Sequence, residues 1–339
     1  MSDIVEQMAN YRISQIELAE AKYYEDLIRV LDRIERDVIS YASQLPLKEG
    51  KLFELKSAIA SRPIIREILE REYLAWSDTV VREGFSKQAK RIERAFKDIG
   101  RIPIEFQQLT DSDLSVIQNL KRQTFTQFKD VSNTFTRTIS DKIYQSTLVG
   151  NEFAELQKEL RQTINGIYAI ADDKQVQKLI NEIKRDEVRV RRLSGPQRVA
   201  IRTKLNKNIQ TLQSKYATTR SGENMKRYAG QILNDGLREF DAQLNLHKSN
   251  EAGLTMCKYF GNIIPTTRDH CRLVRSGNYD IRQGGLFTID EVKELWASKS
   301  WKGKKSGDPL IVRGGYNCRH QWSFVNPDWY DESGNIITE

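Results

Sequence analysis

Apolar residues recur at spacings of three and four over most of the first 250 positions. Leu27, Leu31, Ile34, Val38 and Tyr41 form one such stripe, with charged residues between them. This is the one-sided pattern of an amphipathic helix. A second stripe begins near Pro63, a residue suited to a helix's first turn, and runs through Leu69, Tyr73, Trp76 and Val80 towards Ile99. The stretch "GRIPIEF", 100–106, breaks the period and predicts an extended connector. "TDSD", 110–113, then predicts a helix start, with Thr110 as cap and acids in the first turn. Phe128, Val131, Phe135 and Ile139 continue an apolar stripe, and Phe153, Leu156, Leu160, Ile164 and Ile167 make another after Gly150. "SGPQ", 194–197, reads as a cap followed by a first-turn proline, after which Ile201, Leu205, Ile209, Leu212 and Tyr216 line one face. These stripes predict packing seams and imply no cofactor.

The texture changes after residue 253. Only seven prolines occur, and none lies between 104 and 195 or between 197 and 264; ten of the 19 glycines and four of the five tryptophans fall in the last quarter. That quarter therefore reads as a turn-rich module. "CKYFGNII", 257–264, predicts a strand ending in a turn. Thr288 to Glu291 has the spacing of a capping box and predicts a short helix with Ile289, Val292 and Leu295 or Trp296 on one face. "SWKGKKSGDP", 300–309, predicts a basic loop, and "LIVRGGYNCRHQWSFV", 310–325, predicts β-rich ends around a double-glycine turn. The fold class expected is mainly α, with an elongated long-helix N-terminal region followed by a small α+β C-terminal domain.

Charge sharpens this picture. Between Lys184 and Arg227 stand 13 lysines and arginines against three acids, so this segment carries more than the chain's net +8. A local basic block suggests a polyanionic partner, and Arg189, Arg191, Arg192, Arg198, Arg202, Lys204 and Lys207 are its candidate phosphate contacts. No apolar run approaches the roughly 18 residues a membrane helix needs. "MSDIVEQMAN" lacks a basic-then-apolar signal pattern, and three cysteines make no disulfide framework, so synthesis in a reducing cytoplasm is expected.

The soft metal ligands are concentrated near the carboxyl end. "TTRDHCRLVRSGN", 266–278, holds His270 and Cys271; "RGGYNCRHQW", 313–322, holds Cys318 and His320; Cys257 lies just upstream and only His247 stands apart. Zinc takes four borderline or soft ligands as a tetrahedron. Cys318 and His320 share one side of extended backbone, whereas the neighbours His270 and Cys271 point apart there. The four-ligand set expected for structural zinc is Cys257, Cys271, Cys318 and His320, with His270 as alternate. The spacings match no standard finger, and three buried thiols acting as small hydrophobes is the plain alternative. His270, Asn317 and His320 also suggest a His-Asn-His nuclease, although Asn317 and His320 stand too close in sequence for that arrangement.

The two motifs together resemble the C-terminal domain of the Mu F-like minor head proteins of tailed bacteriophages, also called the phage head morphogenesis family. Arg268, His270, Cys271 and Gly277 match the first half of the family pattern, and Asn317, Cys318, Arg319 and His320 the second. In "ATTRSGENMKRYAGQ", 217–231, Arg220, Ser221 and Glu223 resemble the helix that opens the domain, with Gly222 interposed. Gly314, Gly315 and Tyr316 stand where a proline-rich turn is the family habit. The resemblance spans 215–326 and implies three parts: a helical region at 1–214 for portal, capsid and DNA contact, the head-morphogenesis domain at 215–326, and a tail at 327–339.

The resemblance further implies a non-enzymatic minor head protein inside the virion, made in the host cytoplasm. It would associate with the portal protein and inner capsid, touch packaged double-stranded DNA through backbone phosphates, and act in head morphogenesis and DNA delivery. Helical seams suit self-association as well. A metal-dependent nuclease and a nucleic-acid-binding helical adaptor are the competing expectations.

Overall fold

In the computed structural model the chain is mainly α. It describes residues 4–166, 224–265, 267–276, 285–316, 318–331 and 337, together with 182, 185–186, 189, 197, 200–205 and 207–208. The helices up to residue 251 are α1 (Ile4–Ser43), α2 (Leu55–Ile59), α3 (Ser61–Leu69), α4 (Ala75–Thr79), α5 (Phe85–Ile99), α6 (Asp111–Val149), α7 (Phe153–Asn165) and α8 (Met225–Glu251), of which α1, α6 and α8 are the longest among the described residues. The carboxyl-terminal part adds β3 (Met256–Phe260), α9 (Asp269–Ser276), β4 (Leu286–Thr288), α10 (Ile289–Ser298), α11 (Pro309–Val312) and β5 (Gln321–Val325). A two-stranded hairpin, β1 (Leu47–Lys48) and β2 (Lys51–Leu52), follows α1. No helix among the described residues is long and apolar enough to cross a membrane.

Contacts divide the chain into two units, one of residues 1–26, 76–128 and 231–339 and the other of 27–75 and 129–230. This grouping is spatial, whereas the boundaries at 214/215 and 326/327 follow composition and resemblance. In the second unit, the stripe Leu27, Leu31, Ile34 and Val38 is buried, as are Val131, Phe135, Ile139, Leu156, Leu160 and Ile164. Ile167, Ile209, Leu212 and Tyr216 lie outside the described residues. The hairpin turns on Glu49 (φ 51) and Gly50 (φ 76), two consecutive left-handed residues that suit a tight antiparallel turn.

In the first unit, the start of α6 is built as its sequence predicts. The Thr110 backbone N–H donates to Asp113 Oδ2 (2.9 Å), and the Asp113 N–H donates to Thr110 Oγ1 (3.1 Å). "GRIPIEF" breaks the helix through Gly100 in the left-handed region (φ 72), but Ile104–Phe106 close a single 3-10 turn rather than staying extended. Two π-helical turns, Glu70–Leu74 at the edge of the second unit and Val80–Gly84 in the first, interrupt the helix that begins at Ser61, which periodicity alone does not signal. Gly84 lets the Tyr23 ring approach: a Cβ there would stand 3.1 Å from its Cε2. Buried ion pairs fix α1 to α8, with Arg12 on Asp241 (2.5 Å) and Arg238 on both oxygens of Glu20 (2.5 and 2.6 Å).

The carboxyl-terminal sheet has the order β4-β3-β5, antiparallel throughout. Cys257 pairs with Phe287 and Phe324, and Tyr259 with Trp322. Because side chains alternate, Cys257, Tyr259, Phe287, Trp322 and Phe324 share one face. The capping box forms as expected: Thr288 Oγ1 accepts from the Glu291 N–H and Glu291 Oε2 accepts from the Thr288 N–H, and α10 buries Val292, Leu295 and Trp296. Two expectations are corrected. Residues 269–276 form helix α9 rather than extended chain, with Asp269 in its first turn and Arg275 in its last, each favoured by the helix dipole. Residues 309–312 form helix α11 rather than a strand, because Asp308 caps it by accepting the Leu310 N–H (2.9 Å) and Pro309 presets its first turn.

Candidate metal centre

Helix α9 and the approach to β5 carry the soft ligands towards β3. Cys271, Cys318 and His320 are buried, and their ligand atoms all lie within 4.8 Å of one another. The Cys271 and Cys318 sulfurs are 3.9 Å apart, too far for a disulfide, and both thiols are free. Cys318 Sγ stands 3.8 Å from His320 Nδ1. The Tyr259 hydroxyl lies 3.2 Å from Cys318 Sγ and 3.6 Å from Cys271 Sγ, and its ring stacks on His320 at 5.2 Å.

Two glycines make room for this group. A Cβ on Gly314 would sit 2.3 Å from Cys271 Sγ and 2.9 Å from Cys318 Sγ, so only glycine lets the backbone pass over the sulfurs. The Gly314 carbonyl is held by the Trp301 indole N–H at 3.0 Å. Gly261 (φ 137) likewise lets His320 approach, since a Cβ there would meet its Cδ2 at 2.8 Å. The double glycine thus serves the packing of the sulfurs as well as a turn.

Electrostatics favour one thiolate. The Cys271 thiol hydrogen-bonds Cys318 and holds the Cys318 thiol well below its ordinary range, helped by His320 and by the buried Arg313 guanidinium. Cys271 is pushed up by that same hydrogen bond and by burial. Burial, then the two thiols, raises the Tyr259 hydroxyl. A thiolate is the form that binds metal.

Of the four expected ligands, the structure brings together three. Cys257 is fully buried on β3, two positions from Tyr259 on the same strand face, and burial pushes its thiol up. It packs with Phe287 and Phe324 as a small apolar side chain, so the hydroxyl of Tyr259 stands at the cluster where Cys257 is expected. His270 does not join the group either. One residue along a helix turns a side chain by about 100°, and His270 stacks on Trp301 at 3.9 Å with an interplanar angle of 8°. Burial, with Lys304 and Arg268 nearby, lowers its pKa to about 4. Asn317, Gly277, Arg220, Ser221 and Glu223 lie outside the described residues.

The donor set fits a tetrahedral ion. With zinc–sulfur bonds of about 2.3 Å, two sulfurs of a tetrahedron stand about 3.8 Å apart, against the 3.9 Å found here. His320 presents Nδ1 to Cys318 Sγ at 3.8 Å, so Nδ1 is the ring nitrogen placed to join the two sulfurs. Around the cluster, Arg268 donates to the carbonyls of Lys302 (3.2 Å) and Tyr316 (2.6 Å), and Arg272 to those of Thr267 (3.0 Å) and Ile264 (2.8 Å). The arginines of the first motif therefore anchor loops. A surface depression of about 470 Å³ between Asn250, Leu254, Thr288 and Asp290 is lined by none of the cluster residues.

The basic candidates lie in the other unit. Arg189, Arg202, Lys204 and Lys207 are exposed, while Arg191, Arg192 and Arg198 lie outside the described residues. Arg189 (3.8 Å) and Lys204 (3.4 Å) both reach the buried Asp186, so part of the segment's charge is answered locally.

Comparison with known proteins gives no match: no family model, no curated protein and no solved structure is significantly similar to this chain.

Proposed function

We propose that this chain is a minor head protein of a tailed bacteriophage. It is a non-enzymatic component of the capsid interior that associates with the portal protein and packaged DNA and acts in head morphogenesis and DNA delivery. One observation carries the reading: the segments bearing the two family-like motifs close on each other, so that Cys271 and Cys318, 47 positions apart, face each other across 3.9 Å. Their loop-anchoring arginines and sulfur-facing glycine have the character of a structural brace.

Structural zinc held by Cys271, Cys318 and His320, with the Tyr259 hydroxyl as fourth donor, belongs to the same proposal. A bound ion would cross-link α9, β3 and the approach to β5 in a module with a small core of its own. The nuclease reading has less support, because His270 is stacked against Trp301 and is not among the residues whose ligand atoms gather with that of His320.

Density-purified particles test the proposal. The chain is expected in them at low copy, protected from added protease until the capsids are opened. Its presence only in the soluble fraction of infected cells would favour a nucleic-acid-binding adaptor and overturn the reading.

A further inference from the structure

We propose that Asp113, His247 and Glu251 form a second metal site, open to solvent and suited to a divalent ion of the Zn²⁺, Co²⁺ or Ni²⁺ class. The site is in the first unit and uses the one histidine that neither motif contains. His247 and Glu251 are one turn apart on α8, and Asp113 lies in the first turn of α6. Their ligand atoms all fall within 4.8 Å of one another. His247 Nε2 stands 3.4 Å from Glu251 Oε1 and 3.9 Å from Asp113 Oδ1. Metal–ligand bonds of about 2.1 Å place tetrahedral neighbours about 3.4 Å apart, so small side-chain shifts would close the set on an ion.

An independent observation points to a ligand. Asp113 is fully buried, and its two oxygens are treated unequally. Oδ2 accepts from the Thr110 N–H and from Lys248 Nζ, both at 2.9 Å, whereas Oδ1 is buried with no hydrogen-bond partner. A buried carboxylate oxygen left unanswered is costly, and this one faces the imidazole. Lys248 answers one of the two carboxylates, so a divalent ion would meet one residual negative charge beside the imidazole.

Neighbouring hydroxyls steady the remaining ligands: Ser112 Oγ lies 2.9 Å from His247 Nε2, and Thr110 Oγ1 lies 3.4 Å from Glu251 Oε2. On metal binding, Ser112 would surrender its contact with Nε2 to the ion. The His247 and Glu251 side chains are 28% and 24% exposed, which leaves an entry path and room for water ligands. The nitrogen–oxygen donor set distinguishes this site from the sulfur-rich cluster, and an ion there would staple the start of α6 to the end of α8.

Equilibrium dialysis of the full-length protein against micromolar Zn²⁺ tests this, beside H247Q and E251Q variants whose circular dichroism matches wild type. Each variant is expected to hold one zinc equivalent fewer than wild type, or to hold it at least tenfold more weakly. The thiolate-to-metal charge-transfer band of the Co²⁺-loaded protein should be unchanged in both. Equal zinc uptake by all three proteins would overturn the inference. Absence of the thiolate band would strike the cysteine brace and leave this site standing.

Discussion

Tyr259 stands at the cluster position that the sequence suggests for Cys257. Both residues are on one face of β3, and the difference between them is two residues, or about 6.6 Å of strand. The ligand types Cys271, Cys318 and His320 are legible from their clustering alone, and the strand periodicity of 318 and 320 gives their common side. A tyrosine hydroxyl is a rarer donor and draws no attention until the fold sets it 3.2 Å from a sulfur. Cobalt substitution separates these roles. Cys318→Ser is expected to cut the thiolate charge-transfer band by at least half, since Cys271 is the one sulfur left at the site, while Tyr259→Phe should keep it and weaken cobalt binding at least tenfold. A Tyr259→Phe protein with unchanged affinity and visible spectrum would demote the hydroxyl to a spectator. His270 makes a separate prediction. Its folded pKa of about 4 lies below the ordinary value near 6.5, so the unfolded chain gains a proton that the folded one refuses. Stability should therefore fall as pH drops from 6.5 towards 4, by up to about 3 kcal/mol from this group. Urea titrations across that window should show a smaller loss in His270→Phe than in wild type; equal slopes would refute the assignment.

At the level of elements, periodicity serves the long helices well. Their apolar positions face inward over many turns, so a stripe such as Leu27, Leu31, Ile34 and Val38 is buried as written. Caps are legible for the same local reason, as Thr110 and Thr288 show. Thr288→Ala should remove one cap interaction from α10 and cost about 1 kcal/mol, read as a lower urea midpoint at unchanged slope. An unchanged midpoint would mean that α10 is held by packing alone. Short elements are less legible. Helix α11 has four residues and its apolar run reads equally as strand, so only Asp308 and Pro309 betray it. Helix α9 carries no clear stripe, because its residues are used for tethering: Cys271 to the cluster, Arg272 to its own turn and His270 to Trp301. The π turns at 70–74 and 80–84 add residues without breaking the apolar face, and the hairpin at 47–52 signals itself only through Glu49 and Gly50.

For the molecule as a whole, a linear reading separates a helical region from a module that follows it, whereas spatial grouping draws residues 1–26 and 76–128 together with 231–339. Buried pairs such as Arg12 with Asp241, 229 positions apart, carry no mark in the sequence. Charge, by contrast, is read directly. If the basic segment contacts packaged DNA through phosphates, binding to a duplex should be insensitive to base sequence and fall steeply with salt. Replacing Arg202 and Lys207 by alanine should reduce the salt slope by nearly two units; an unchanged slope would move the contact elsewhere. If the chain sits beside the portal, as proposed, residue-specific cross-linking inside intact particles should link it to the portal protein. Cross-links confined to tail or outer-capsid proteins would contradict that placement.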